Sequence, residues 1–157
     1  MIVSALRWVG GIDGYLEIVD QRRLPGEFVK LQCRTVEQVF DAIKTLAVRG
    51  APALGVAAAY GLVLALQELT GDVGVERALQ QCARACDYLA SSRPTAVNLF
   101  RALDRVKSEA ERFAAANNNA ATKQLHQAVL DEADAICAED EHLCRRIGQN
   151  GEPFIKD

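Results

Sequence analysis

From Ala51 to Leu66 the chain carries no charged residue, and most of its side chains there are Ala, Gly, Val or Leu. Such a run fits a helix buried on nearly all sides, with small side chains that let neighbouring helices come close. It is shorter than the roughly 20 residues a membrane helix needs, so it reads as a core helix. The residues in front of it form its mouth. Pro52 fits the first helical turn, where a backbone N–H has no intrahelical use. Gly50 supplies the open backbone that turns the chain in. The N–H groups of Ala51, Ala53 and Leu54 would then lack partners at the positive end of the helix dipole. With Arg49 beside them, these groups make a candidate anion site, and phosphate suits it.

The totals narrow the class. At 157 residues, half of them apolar, with a net charge of −3, the chain suits one ordinary globular domain. No basic excess points to nucleic acid, and no run reads as a membrane span. Five cysteines at irregular spacings, with no secretory signal in front of them, predict reduced thiols and a cytoplasmic location.

The first 34 residues read as a three-stranded antiparallel meander: Ala5–Val9, Tyr15–Val19 and Phe28–Cys33, separated by Gly/Asp and Leu24-Pro25-Gly26 turns. Val29, Leu31 and Cys33 would share one face of the third strand. From Thr35 the period becomes helical. Thr35 and Gln38 frame a capping box, and an apolar stripe runs from Val36 to Ala47, ended by Gly50. After the buried helix, a third stripe runs from Val75 to Leu89. A fourth follows Pro94, again read as a proline at a helix entrance, and Asn117–Asn119 reads as a loop. A fifth helix, about Ala121 to Ile147, has Gly148 as its stop. Residues 149–157 read as the start of a linker. The domain reading is thus 1–34 meander, 35–148 helical domain, 149–157 linker.

Two breaks share a design: Arg49-Gly50-Ala51-Pro52 and Ser92-Arg93-Pro94-Thr95. Two arginines at two helix mouths can grip one phosphorylated ligand through parallel hydrogen bonds. Surface arginines that merely mark helix starts would read the same way locally. Cys82 and Cys86 fall in an apolar stripe, where free cysteine behaves as a small hydrophobe. His126 and His142 show no ligand spacing with them, so no metal site is expected. No general acid or base can be assigned from spacing.

Thr35–Lys44, Val48–Gly61 and Ser92–Leu99, with the Trp8 strand and the Leu24-Pro25 turn, resemble the amino-terminal half of methylthioribose-1-phosphate isomerases. Leu54 stands where isoleucine is more usual. That family is related to archaeal ribose-1,5-bisphosphate isomerases and to the regulatory subunits of translation initiation factor 2B. The resemblance implies a mainly helical domain with a small sheet, joined by a long helix to a Rossmann-like carboxy-terminal domain that is absent here. It implies that Arg49, Gly50, Ala51 and Arg93 contact substrate. The catalytic cysteine and aspartate belong to the other domain, and none of Cys33, Cys82, Cys86, Cys137 or Cys144 matches that cysteine. No cofactor or metal is implied.

The implied reaction turns 5-methylthioribose 1-phosphate into 5-methylthioribulose 1-phosphate, an aldose–ketose isomerisation in methionine salvage. This chain would bind the sugar phosphate without catalysing the step alone. The expected partner is a second copy, or a missing carboxy-terminal domain or chain. The other reading is a non-catalytic regulatory or assembly module resembling the initiation-factor subunits.

Overall fold

The computed structural model describes residues 4–117 and 119–155. Residues 1–3 of the meander, Asn118 of the Asn loop, and Lys156 and Asp157 of the expected linker lie outside the described residues. The chain is mainly helical with a small amino-terminal sheet. Strands β1 (Leu6–Val9), β2 (Tyr15–Val19) and β3 (Lys30–Cys33) precede α1 (Val36–Lys44), α2 (Ala51–Gln67), α3 (Val75–Ala90), α4 (Val97–Ala116) and α5 (Thr122–Gly151). A short 3₁₀ turn, Glu152–Phe154, follows α5.

The meander is antiparallel in the order β1-β2-β3, with Leu6 opposite Ile18 and Leu16 opposite Cys33. Period-2 alternation puts Leu6, Leu16, Ile18 and Cys33 on the buried face. The third strand starts later than expected. Val29 lies before it, where its carbonyl accepts from Asp20 N–H, and Phe28 is exposed. Three strands are barely stable alone, and these lean on the bundle. Trp8 stacks on Tyr60 of α2, ring centroids 5.3 Å apart. The Gln67 side chain at the end of α2 donates to the Ile12 and Gly14 carbonyls.

Every residue of α2 from Leu54 to Leu66 is buried, as its composition demands. The other elements pack round it. α5 runs antiparallel to α2, since Tyr60 Oη donates to Asp134 and His126 Nε2 donates to the Val63 carbonyl. α5 is also antiparallel to α4, with Arg105 bridging to Glu132 and Glu139. α2 and α4 are therefore parallel and begin at the same end of the bundle. α3 inserts Cys82, Cys86 and Leu89 into the core, and Tyr88 stacks on Phe40 of α1.

Four local expectations need correction. Helix α1 ends at Lys44, before Leu46 and Gly50. Leu46 sits at φ 62°, the left-handed region, and reverses the chain there. In the capping box, Thr35 Oγ1 accepts from Gln38 N–H, but the Gln38 side chain accepts from Arg34 rather than Thr35. Pro94 is not in a helix entrance. Ala96 N–H donates to the Arg93 carbonyl at 3.0 Å, which makes Arg93–Ala96 a turn with Pro94 at its favoured second position, and α4 starts at Val97. Gly148 does not stop α5, which runs on to Gly151 through the first three residues of the expected linker. A helical glycine costs only about 1 kcal/mol relative to alanine, too little to break an established long helix. Pro153, which has no N–H to extend the ladder, marks the real end.

Candidate functional site

The Arg49 segment is shaped from both sides. Behind it, the loop after β2 braces the α1–α2 connection. Gln21 N–H donates to the Ala47 carbonyl at 2.9 Å. Arg22 grips both oxygens of the buried Asp20 carboxylate, at 2.7 and 2.6 Å, and reaches Thr45 Oγ1 at 2.9 Å. In front, Gly50 caps α2 at φ 95°, ψ 129°, a backbone that other residues adopt only under strain. Leu46 just upstream is also left-handed. For a non-glycine residue this costs roughly 1–2 kcal/mol, and Arg49 Nε donates to its carbonyl at 3.4 Å.

At the mouth of α2, Ala51 and Pro52 are exposed. Leu54 N–H, expected to be free, donates to the Gly50 carbonyl at 3.0 Å, and no side chain caps the helix. The N–H groups of Ala51 and Ala53 have no partner among the described residues. Arg49 is exposed and Arg93 is half-buried. Contact between the two helices is close from the first turn. A Cβ on Gly55 would stand 2.8 Å from the Asn98 carbonyl oxygen and 3.3 Å from the Ala102 Cβ. Arg49 and Arg93 therefore lead into neighbouring parallel helices.

Beside this mouth runs a groove of about 250 Å³. α2 lines it with Pro52 and Val56, α4 with Asn98 and Arg101, and α5 with Ile136 and Leu143. Neither Arg49 nor Arg93 lines it. Arg105, in its floor, holds Glu132 and Glu139 of α5, and its hydrogen bonds lower the Glu139 pKa. Burial, then Glu141, raises that of Asp140 on the same wall. Sequence reasoning missed Arg101 and Arg105. Their spacing of four along α4 placed them on one face, but their acidic partners lie on another helix.

Three of the five thiols are pushed away from the thiolate form, while a hydrogen bond with Cys86 lowers the pKa of the buried Cys82. Burial pushes Cys33 up to about 11 and also raises Cys137, while a hydrogen bond with Cys82 and burial raise Cys86. Among the described residues no three His, Cys, Asp or Glu side chains converge as metal ligands. Nor is any described helix long and apolar enough to cross a membrane.

The sequence profile of the initiation factor 2 subunit family matches residues 47–157. The chain belongs to that family. Over 147 residues it is 52% identical to the 5-deoxyribose 1-phosphate isomerase of Moorella thermoacetica, covering 92% of this chain and 40% of that protein. It is 40% identical to the methylthioribose-1-phosphate isomerase of Rhodopirellula baltica, covering 90% of this chain and 38% of that protein. Its fold matches the crystal structure of translation initiation factor eIF-2B, subunit delta, from A. fulgidus, with a TM-score of 0.86 and 36% identity. That match covers 99% of this chain and 43% of the other. The 5-methylthioribose 1-phosphate isomerase of Pyrococcus horikoshii OT3 matches with a TM-score of 0.74 and 31% identity, covering 88% of this chain and 36% of the other. This family member therefore spans about 40% of the length of the curated relatives it matches.

Proposed function

We propose that this chain is the sugar-phosphate-binding part of an aldose–ketose isomerase that converts 5-methylthioribose 1-phosphate to 5-methylthioribulose 1-phosphate in methionine salvage. The observation that carries the reading is the uncapped, exposed start of α2. Arg49, Gly50 and Ala51 offer a guanidinium and free N–H groups there, and Arg93 leads into the parallel helix beside it. These four residues are the proposed phosphate grip. A phosphate on the anomeric carbon blocks easy ring opening, so the site must hold it firmly while an acid–base pair moves a proton between adjacent carbons. That pair is expected from the part of the longer relatives that this chain does not span. The expected setting is the cytoplasm, with a second copy or a completing domain or chain as partner.

Titration of the chain with 5-methylthioribose 1-phosphate and with inorganic phosphate tests this. Binding is expected without isomerisation. Arg49→Ala and Arg93→Ala should each weaken binding by about 1.5–3 kcal/mol, the worth of a charged hydrogen bond. No detectable binding, or unchanged affinity in both variants, would sink the grip. Turnover that is lost with Arg93→Ala would overturn the division of labour.

The match to the archaeal initiation-factor subunit, over almost the whole chain, favours a second reading: a regulatory or assembly module without catalysis. It predicts no affinity for the sugar phosphate beyond that for free phosphate.

A further inference from the structure

At the far end of α2 from Gly50, about 25 Å away at 1.5 Å per residue, a cavity of about 310 Å³ opens between the β1–β2 turn, the end of α2 and the start of α5. The His126 imidazole, 6% exposed, forms part of its wall. Its Nε2 lies 2.9 Å from the Val63 carbonyl oxygen. A carbonyl only accepts, so Nε2 carries the hydrogen and Nδ1 of the neutral ring is a lone pair. Burial lowers the pKa of the ring and keeps it neutral at pH 7. Nδ1 has no hydrogen-bond partner among the described residues, and no sealed side-chain nitrogen or oxygen among them is unpartnered. Nδ1 is therefore not sealed, and the cavity is the open space that His126 lines.

The rest of the wall is also rich in acceptors. Gln67 uses both amide hydrogens on Ile12 and Gly14, at 2.7 and 2.9 Å, which leaves its Oε1. Asp72 Oδ1 takes the Thr122 N–H, the Thr122 hydroxyl and the Gly74 N–H, which leaves Oδ2. Asp13 makes no hydrogen bond among the described residues. The start of α5 is not open to an anion, because Asp72 and the Gln124 side chain already cap it. α2 presents the negative end of its dipole. The charged groups facing His126 are Asp13, Asp72 and Lys123, and Lys123 is exposed at the rim.

We propose that this cavity binds a small primary ammonium ion, which donates to His126 Nδ1, the Asp13 carboxylate and Gln67 Oε1 while its alkyl chain lies against Leu66 and Leu69. Three N–H donors meet three acceptors, and the positive charge answers two carboxylates against one lysine. An alcohol brings one donor and no charge. A carboxylate would face acceptors alone. Protonation of His126 turns its acceptor into a donor and adds a like charge, so binding weakens as the pH falls through the depressed pKa of the ring.

The test is a titration of the ¹⁵N-labelled chain at pH 7.5 with n-butylammonium, n-butanol or butyrate at constant ionic strength. The imidazole ¹⁵N resonances are the readout, with exposed His142 as the internal reference. The expected result is a saturable shift of His126 Nδ1 with butylammonium alone. Asp13→Asn should weaken the affinity about 2–5-fold, the worth of a partly screened charge, and Lys123→Met should tighten it. Both positions are exposed, so both variants should fold. No saturable response of His126 by roughly 100 mM amine, where even a very weak specific site would fill, would overturn the proposal. So would an equal response to butanol, or unchanged affinity in both variants.

Discussion

Asp20 links the sheet to the loop that carries Arg49. The residue is 3% exposed, and its carboxylate accepts the Arg22 guanidinium through two oxygens and is held below the usual carboxylate range mainly by those hydrogen bonds. Arg22 in turn reaches Thr45 at the end of α1, four residues before Arg49. Asp20→Ala should therefore cost about 1.5–3 kcal/mol of stability, the range for hydrogen bonds to charged groups. It should also weaken the phosphate binding proposed for Arg49, because the brace behind that segment is lost. Calorimetric titration and urea unfolding check the two effects. A folded-state pKa below the unfolded value means that this stabilisation is full above about pH 4 and is lost as the pH falls further. Asp20→Asn should accordingly flatten the acid limb of the stability curve below about pH 4. An unchanged acid limb would mean that Asp20 is not an important partner of the fold.

The α2–α4 contact is decided by one glycine. At Gly55 a Cβ would stand 2.8 Å from a backbone oxygen of α4, which cannot swing aside. Alanine is the better helix former by about 1 kcal/mol, yet overpacking a tight contact costs about 1–3 kcal/mol. Gly55→Ala should be destabilising on balance and should push the starts of the two helices apart. Gly61, two turns on, meets the flexible end of Leu89 at 2.8 Å and Val39 at 3.3 Å. Side chains can yield there, so Gly61→Ala should fall within about 1 kcal/mol of the parent. Equal destabilisation by the two substitutions in thermal unfolding would show that the helix spacing is not set at Gly55.

Across the whole molecule, stability is unevenly spread. α2 is sealed by the other four helices and by β1 and β2, whereas α5 outruns the bundle. From Glu141 to Gly151 every residue is exposed, and Leu143, Ile147, Phe154 and Ile155 present apolar surface to solvent. An isolated helical segment of that length is marginal in water. Amide exchange should therefore be slowest in α2, near the limit set by global unfolding, and fast in α5 beyond about residue 140. Slow exchange there at low protein concentration would contradict a free-standing helix. Protection that grows with concentration would identify a second copy of the chain as its cover.

The period and composition of single segments were enough to read the meander, the five helices and the buried character of α2. The uncharged run from Ala51 to Leu66 can only be a core element, and alternation or a 3.6-residue stripe follows from local geometry. The mouth at Gly50–Pro52 was legible for the same reason: glycine and proline act through their own backbones. Contacts between distant segments were not legible. Nothing local says that Asp72 caps a helix starting at Thr122, that Arg22 braces Thr45, or that Tyr60 meets Asp134. The left-handed turn at Leu46 was hidden too, because leucine avoids that region unless the surrounding packing imposes it. Gly148 misled in the opposite direction, since a weak local preference yields to a helix already propagating through it. Local sequence fixes which face of each element is apolar, while the pairing of those faces depends on a core that forms only when all five helices are present together.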